Sequence, residues 1–96
     1  MKTAEFKTFL DLFPDYIPYF KTFPKPQCLA NCQLYEDQYS NLDEAFENDK
    51  GVPLLASLPD STFEENQMKQ SVSLYMEFRD YQILAAKREL NKSKQV

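Results

Sequence analysis

The chain has 96 residues, of which 43% are hydrophobic, 15% aromatic and 27% charged, which is the composition of a folded domain and excludes an intrinsically disordered chain. The length suits one domain and excludes two. With no histidine and one glycine, the chain lacks the usual general base and the glycine-rich loops that hold phosphates, so we expect neither an enzyme nor a cofactor.

The single glycine also bears on the fold class, because sheets joined by tight turns need several glycines at positive φ. Six prolines divide the chain into helical pieces instead. We therefore predict an all-α fold, a small single-domain bundle of two short N-terminal helices and two longer antiparallel helices. We expect the domain to cover residues 1–90 and residues 91–96 to form a frayed basic tail.

Residues 3–13 predict the first short helix, with Thr3 as its N-cap. Residues 15–23 predict the second, in which Asp15 caps the helix and Pro18 falls in the first turn, where its missing N–H costs little. Each helix carries one apolar stripe at helical spacing. The stripes consist of Phe6, Phe9, Leu10 and Phe13 in the first helix and of Tyr16, Tyr19, Phe20 and Phe23 in the second.

Residues 26–48 predict one long third helix, and the pair Lys50 and Gly51 predicts its end. Apolar side chains recur along it at spacings of 4, 3, 4, 3 and 4 residues, the heptad-like pattern of a buried seam. Residues 51–60 then predict an apolar connector, with one helical turn over residues 54–58. The seam consists of Cys28, Cys32, Tyr35, Tyr39, Leu42 and Phe46.

The last helix begins with a capping box, in which Ser61 or Thr62 precedes Glu64 or Glu65 by three residues, and it continues to Leu90. About thirty residues at 1.5 Å each give a length of about 45 Å. A globule of this size is roughly 30 Å across, so the helix either kinks or projects. Its two apolar stripes are Met68, Val72, Tyr75, Met76, Ile83, Ala86 and Leu90, and Leu74, Phe78, Tyr81 and Ala85.

The net charge of −4 is spread unevenly, with +1 over residues 1–26, −8 over residues 27–66 and +3 over residues 67–96. Neutralisation of phosphates by Lys and Arg supplies most nucleic-acid affinity, so we expect no direct nucleic-acid partner. No stretch approaches the roughly 20 apolar residues of a membrane helix, and the first residues lack the pattern of a secretory leader. We expect a cytoplasmic protein without a membrane partner.

The two cysteines, Cys28 and Cys32, are four residues apart on the third predicted helix. Structural zinc needs four ligands, of which this pair supplies two. A catalytic thiol needs a neighbouring group that lowers its pKa, and without histidine only lysine or a helix N-terminus remains. We interpret both as free thiols in the core of a protein from a reducing compartment, and we expect no metal site.

Arg79 lies within the first apolar stripe of the last helix, beside Tyr75. A buried arginine needs partners, so we expect an ion pair with an acid of the third helix, or a side chain that reaches past the stripe to solvent. The alternative is an exposed interface, in which Arg and Tyr are typical anchors. The candidate partner-binding residues are Arg79, Tyr75, Tyr81, Glu36, Asp37, Asp43, Glu44 and Glu47.

The function that these features favour is non-enzymatic protein binding. We expect a small inhibitor or adaptor that acts on a larger intracellular protein complex, of the kind that a phage or mobile element encodes. One alternative is a self-assembling structural or assembly-chaperone protein, including a homodimer through the C-terminal helix. The other is an acidic inhibitor that mimics DNA through the carboxylates of residues 36–49.

Overall fold

The computed structural model describes residues 1–12 and 25–94, so the second predicted helix lies outside the described residues. Every regular element within these two ranges is helical, and they contain no strand, which confirms the all-α prediction. The elements are α1 (Thr3–Leu10), α2 (Lys25–Gln38), α3 (Leu42–Glu47), a 3₁₀ turn (Asp49–Gly51), α4 (Val52–Ser57) and α5 (Phe63–Lys94).

Helix α1 is shorter than predicted. Lys2, not Thr3, occupies the N-cap position, and no side chain caps the helix there. The helix ends at Leu10, where the amide of Asp11 donates to the carbonyl of Lys7 at 3.1 Å. The predicted apolar face is nevertheless correct over the described residues, because Phe6 and Leu10 are buried.

The third predicted helix is broken, which corrects the expectation of one helix over residues 26–48. The side chain of Asn41 accepts hydrogen bonds from the amides of Asp43 and Glu44 at 2.8 and 3.2 Å, and so starts α3. Asparagine is among the best N-cap residues. Tyr39, predicted in the buried seam, lies in the break and is 71% exposed, while the seam residue Leu42 after it is buried.

The connector between α3 and α5 turns through left-handed backbone. Asp49, Lys50 and Gly51 have φ angles of 51°, 54° and 80°. Helix α3 ends at Glu47, close to the end that Lys50 and Gly51 predict, and α4 follows the left-handed residues directly, beginning two residues before the predicted helical turn. Gly51 is buried, and a Cβ added there would stand 2.6 Å from the sulfur of Met76.

Replacing Gly51 with alanine is therefore expected to lower the free energy of unfolding by about 2 kcal/mol. Alanine is strained in the left-handed backbone of this residue, and its Cβ would overpack against Met76. Urea denaturation measures the loss. Lys50→Asn is the matched control, because asparagine tolerates the same φ and only an exposed ion pair with Asp80 is lost, so a change within about 0.5 kcal/mol is expected. Equal stability of Gly51→Ala and the wild type would contradict the close packing.

Helix α5 begins with the predicted capping box. The amide of Thr62 donates to Glu65 Oε1 at 3.0 Å, and the amide of Glu65 donates to Thr62 Oγ1 at 3.1 Å. The helix then continues without interruption to Lys94, four residues past its predicted end. Its 32 residues span about 48 Å at 1.5 Å each, close to the longest dimension of the molecule, 52 Å. The helix was expected either to kink or to project from the globule, and it projects.

The core lies along the middle of α5, where α1, α2 and α3 pack against it. The thiol of Cys32 on α2 donates to the carbonyl of Ser71 on α5 at 3.2 Å, a direct contact between the two helices. Both predicted stripes of α5 are buried in this part of the helix only. The buried apolar residues are Phe6, Leu10, Cys28, Cys32, Tyr35, Leu42, Phe46, Val72, Leu74, Tyr75, Met76 and Phe78.

Candidate functional site

A group of interacting polar side chains surrounds the carboxylate of Asp43 at the start of α3. Its Oδ1 accepts hydrogen bonds from the hydroxyl of Tyr75 at 2.6 Å and from Nη1 of Arg79 at 2.5 Å. Its Oδ2 lies 3.3 Å from the amino group of Met1. One carboxylate therefore joins α3, α5 and the residues before α1.

Glu36 on α2 completes this group from the other side. Its Oε1 accepts a hydrogen bond from the amino group of Met1 at 2.5 Å, and its Oε2 accepts one from the amide of Leu42 at 3.3 Å. The hydroxyl of Tyr75 also accepts a hydrogen bond from the amide of Lys2 at 2.9 Å. We call Met1, Glu36, Asp43, Tyr75 and Arg79 the Asp43 cluster.

Three members of the cluster, Met1, Asp43 and Tyr75, have pKa values displaced from their ordinary values by these contacts and by burial. Burial raises the pKa of Asp43, but hydrogen bonds from Tyr75 and Arg79 and the ammonium of Met1 outweigh it, so the pKa lies below its ordinary value. The hydrogen bond to Glu36 raises the pKa of the Met1 amino group, with burial opposing it. Burial and the hydrogen bond to Asp43 raise the pKa of Tyr75. The cluster is a set of charges stabilised by the fold.

Two predicted partner-binding residues, Arg79 and Tyr75, are thus engaged inside the molecule. The Arg79 side chain is 16% exposed, pairs with Asp43 and lies over the ring of Phe46 at 5.2 Å. This is the ion pair with an acid of the third predicted helix. Tyr75 is fully buried, so a partner would reach it only after local opening. Among the described residues, Arg79 Nε is a buried side-chain nitrogen without a hydrogen-bond partner.

The predicted acidic row does not stay together on one surface. Glu36 and Asp43 turn into the Asp43 cluster, whereas Asp37, Glu44 and Glu47 are exposed. The inward pair is neutralised by an arginine and an ammonium group, so it does not offer free phosphate-like charge. The placement of these carboxylates does not favour a DNA-mimicking surface over an ordinary solvent-exposed helix face.

The two cysteines are buried and free, in contact with the α2–α5 seam. The neighbouring thiol of Cys28 and burial raise the pKa of the Cys32 thiol, which keeps it protonated. Within the two described ranges, no group of three or more Cys, Asp or Glu side chains has the arrangement of a metal site.

A groove that the sequence did not predict opens between the end of α2, α4 and the start of α5. Its volume is about 480 Å³, within the size range of small-molecule binding pockets. The ring centroids of Tyr35 and Tyr39 in its wall are 5.1 Å apart, and Glu64 and Glu65 lie at its rim. The lining residues are Tyr35, Gln38, Tyr39, Leu54, Ser57, Leu58, Pro59, Glu64, Glu65 and Met68.

At the other end of α5, residues 81–90 carry exposed apolar side chains, and we call them the distal segment. Tyr81 still contacts the edge of the core, with its ring centroid 5.3 Å from that of Phe9. Leu84 and Leu90 are 47% and 61% exposed, and Ile83 is also exposed. Lys87 and Arg88 stand between them in the sequence. Of the eight predicted partner-binding residues, Tyr81 is the one that belongs to this segment.

Comparison with protein-family models, curated proteins and solved structures finds no match to this chain. Within residues 1–12 and 25–94, no helix combines the length and the apolar character needed to cross a membrane.

Proposed function

We propose that the protein is a non-enzymatic binding module, a small adaptor or inhibitor of a larger intracellular protein complex, and that its distal segment contacts the partner. The observation that carries the proposal is the exposure of Ile83, Leu84 and Leu90 on a helix that extends past its own core. Scattered apolar residues are common on surfaces, but several on one projecting helix are typical of an interaction site.

The spacing of these residues supports a helix-in-groove contact. Ile83, Lys87 and Leu90 follow each other at i, i+4 and i+7, with Leu84 on the flank, so one face combines apolar anchors with a basic group.

The antiparallel course of the two longer helices, α2 and α5, is also part of the proposal. It is supported by the order of contacts, since Cys32 meets Ser71 while Tyr35, later in α2, shares the groove with Met68, earlier in α5.

A comparison of three chains in pull-down from the source cell tests this function. Wild type and Leu34→Glu, whose leucine is exposed on α2, are expected to recover the same partner in equal amounts. Leu84→Glu is expected to recover at least about tenfold less, the effect of losing roughly 1.4 kcal/mol at an interface anchor. Equal recovery by all three chains would overturn the distal segment as the contact surface.

A further inference from the structure

We infer that the groove of one copy of this protein receives the distal segment of a second copy, so that copies associate head to tail. The inference rests on the proposed function, in which the distal segment is a contact surface, and adds a second copy of the chain as a ligand of that surface. The groove has apolar walls and an acidic rim, and the distal segment presents apolar side chains beside basic ones. The two surfaces are complementary in both respects.

The groove and the distal segment carry opposite charges. Glu64 and Glu65 line the groove and no basic residue does. The distal segment carries Lys87 and Arg88 against Glu89, and Lys92 and Lys94 follow it in the sequence. Opposite charges around an apolar contact raise the rate of association and suppress wrong partners, and their effect weakens with salt.

The groove can also anchor a helix through its tyrosines. Tyr39 is well exposed beside Tyr35, so a leucine or isoleucine inserted between the tyrosines, Leu58 and Met68 would bury apolar surface on several sides. Tyrosine is enriched among interface residues that contribute most to binding, because its large ring loses little conformational entropy. Leu84 and Leu90 are side chains of the kind this site accepts.

The docking must occur between molecules because both surfaces belong to the same helix. Met68 in the groove and Leu90 in the distal segment are separated by about 33 Å at 1.5 Å per residue. Helix α5 is uninterrupted between them, so one copy cannot fold its distal segment back into its own groove. Each copy then uses its groove for one neighbour and its distal segment for another, which builds an open chain or a closed ring.

Sedimentation and light scattering on the purified full chain test the inference. The mass-average mass of the wild type is expected to rise at least about twofold as protein concentration is raised about a hundredfold, and about 0.5 M NaCl is expected to reverse the rise. Lys7→Glu is the matched control, because it makes the same charge reversal as Lys87→Glu on an exposed face of α1 and is expected to associate like the wild type.

Two double variants identify the surfaces. The distal variant is Leu84→Glu with Lys87→Glu, and the groove variant is Tyr39→Ser with Glu64→Lys. All four residues are exposed, so both variants are expected to fold, which circular dichroism verifies. Each alone is expected to stay a monomer, and an equal mixture is expected to form a complex of two copies, because the distal variant keeps its groove and the groove variant keeps its distal segment.

The remaining outcomes overturn the inference. If the wild type stays a monomer at all concentrations, the groove takes a different partner or none. If the groove variant still forms dimers and only the distal variant does not, two distal segments pair with each other. A monomeric wild type whose pull-down partner is lost with Leu84→Glu leaves the proposed function intact and rejects self-association, so the two failures are distinguishable. Should either double variant unfold, Leu90→Glu and Tyr39→Ser alone replace them in the same mixing experiment.

Discussion

Replacing Asp43 with alanine is expected to lower the free energy of unfolding by about 3 kcal/mol. The variant leaves the guanidinium of Arg79, the amino group of Met1 and the hydroxyl of Tyr75 without their shared acceptor. Removing one partner of a largely buried charge pair costs more than the pair itself contributes, because the other charge stays desolvated. Urea denaturation with the wild type as reference measures the loss.

Glu44→Ala is the control for this experiment. Glu44 is the next residue of α3 and is exposed, so its loss is expected to cost within about 0.5 kcal/mol through the helix dipole. Adding Arg79→Leu to Asp43→Ala is expected to restore part of the stability, since the orphaned charge is then removed. If Asp43→Ala and Glu44→Ala cost the same, the cluster does not stabilise the fold.

The pH dependence of the free energy of unfolding is an independent measure of how much the Asp43 carboxylate stabilises the fold. The pKa of Asp43 lies below its ordinary value of 3.8, so its contribution is present above pH 3.8 and is lost as the pH falls through the lower folded value. Asp43→Asn is expected to remove this part of the acid-side decline. The pKa of the Met1 amino group is raised above 8.0, so its contribution is lost on the alkaline side instead, as the pH rises through the folded value.

Phe6→Ala is expected to be more damaging, with a loss of about 4 kcal/mol. Phe6 is 0% exposed, and its ring centroid lies 5.0 Å from that of Tyr75 in an edge-on contact and 5.3 Å from that of Phe78. Truncation leaves a cavity at the junction of α1 and α5 and removes these aromatic contacts. A loss of this size is a large fraction of the roughly 5–15 kcal/mol that stabilises a domain.

Leu12→Ala is the matched control in the same N-terminal part of the chain. Leu12 is well exposed, so its truncation is expected to change stability within about 0.5 kcal/mol. Because α1 also positions Met1 and Lys2 in the Asp43 cluster, Phe6→Ala and Asp43→Ala are expected to be less than additive. Full additivity of the two losses would show that the cluster forms independently of how α1 packs.

The sequence predicts those parts of the fold whose signals are local. Thr62 and Glu65 form a capping box from side chains three residues apart, and the helix end before Gly51 is predicted from the left-handed backbone that glycine adopts readily. The predicted third helix does not include the break before α3. Asn41 nevertheless precedes Glu44 by three residues, which is the spacing of a capping box at the start of a helix. Leu42 is buried whether the helix continues or restarts, so the burial pattern alone did not reveal the break.

The sites depend on contacts between distant residues, and the sequence predicts them less well. The charge of Arg79 within an apolar stripe predicts an acidic partner on the third helix, and Asp43 is that partner. The amino group of Met1 in the same cluster has no signal in the pattern, because it is 35 residues from Glu36. The groove likewise forms only where α2, α4 and α5 meet, which the sequence does not show. Its exposed Tyr39 has the spacing of the buried seam, so the pattern predicts it in the core.

The thiols at the seam between α2 and α5 give the protein an internal reporter. Cys28 and Cys32 are the only cysteines of the chain, and both are fully buried. A thiol reagent can modify them only when α2 separates from α5, so the modification rate measures how often the core opens. A cysteine placed at an exposed position of the distal segment would be the one thiol accessible without such opening, which allows a single dye to be attached there without altering the native pair.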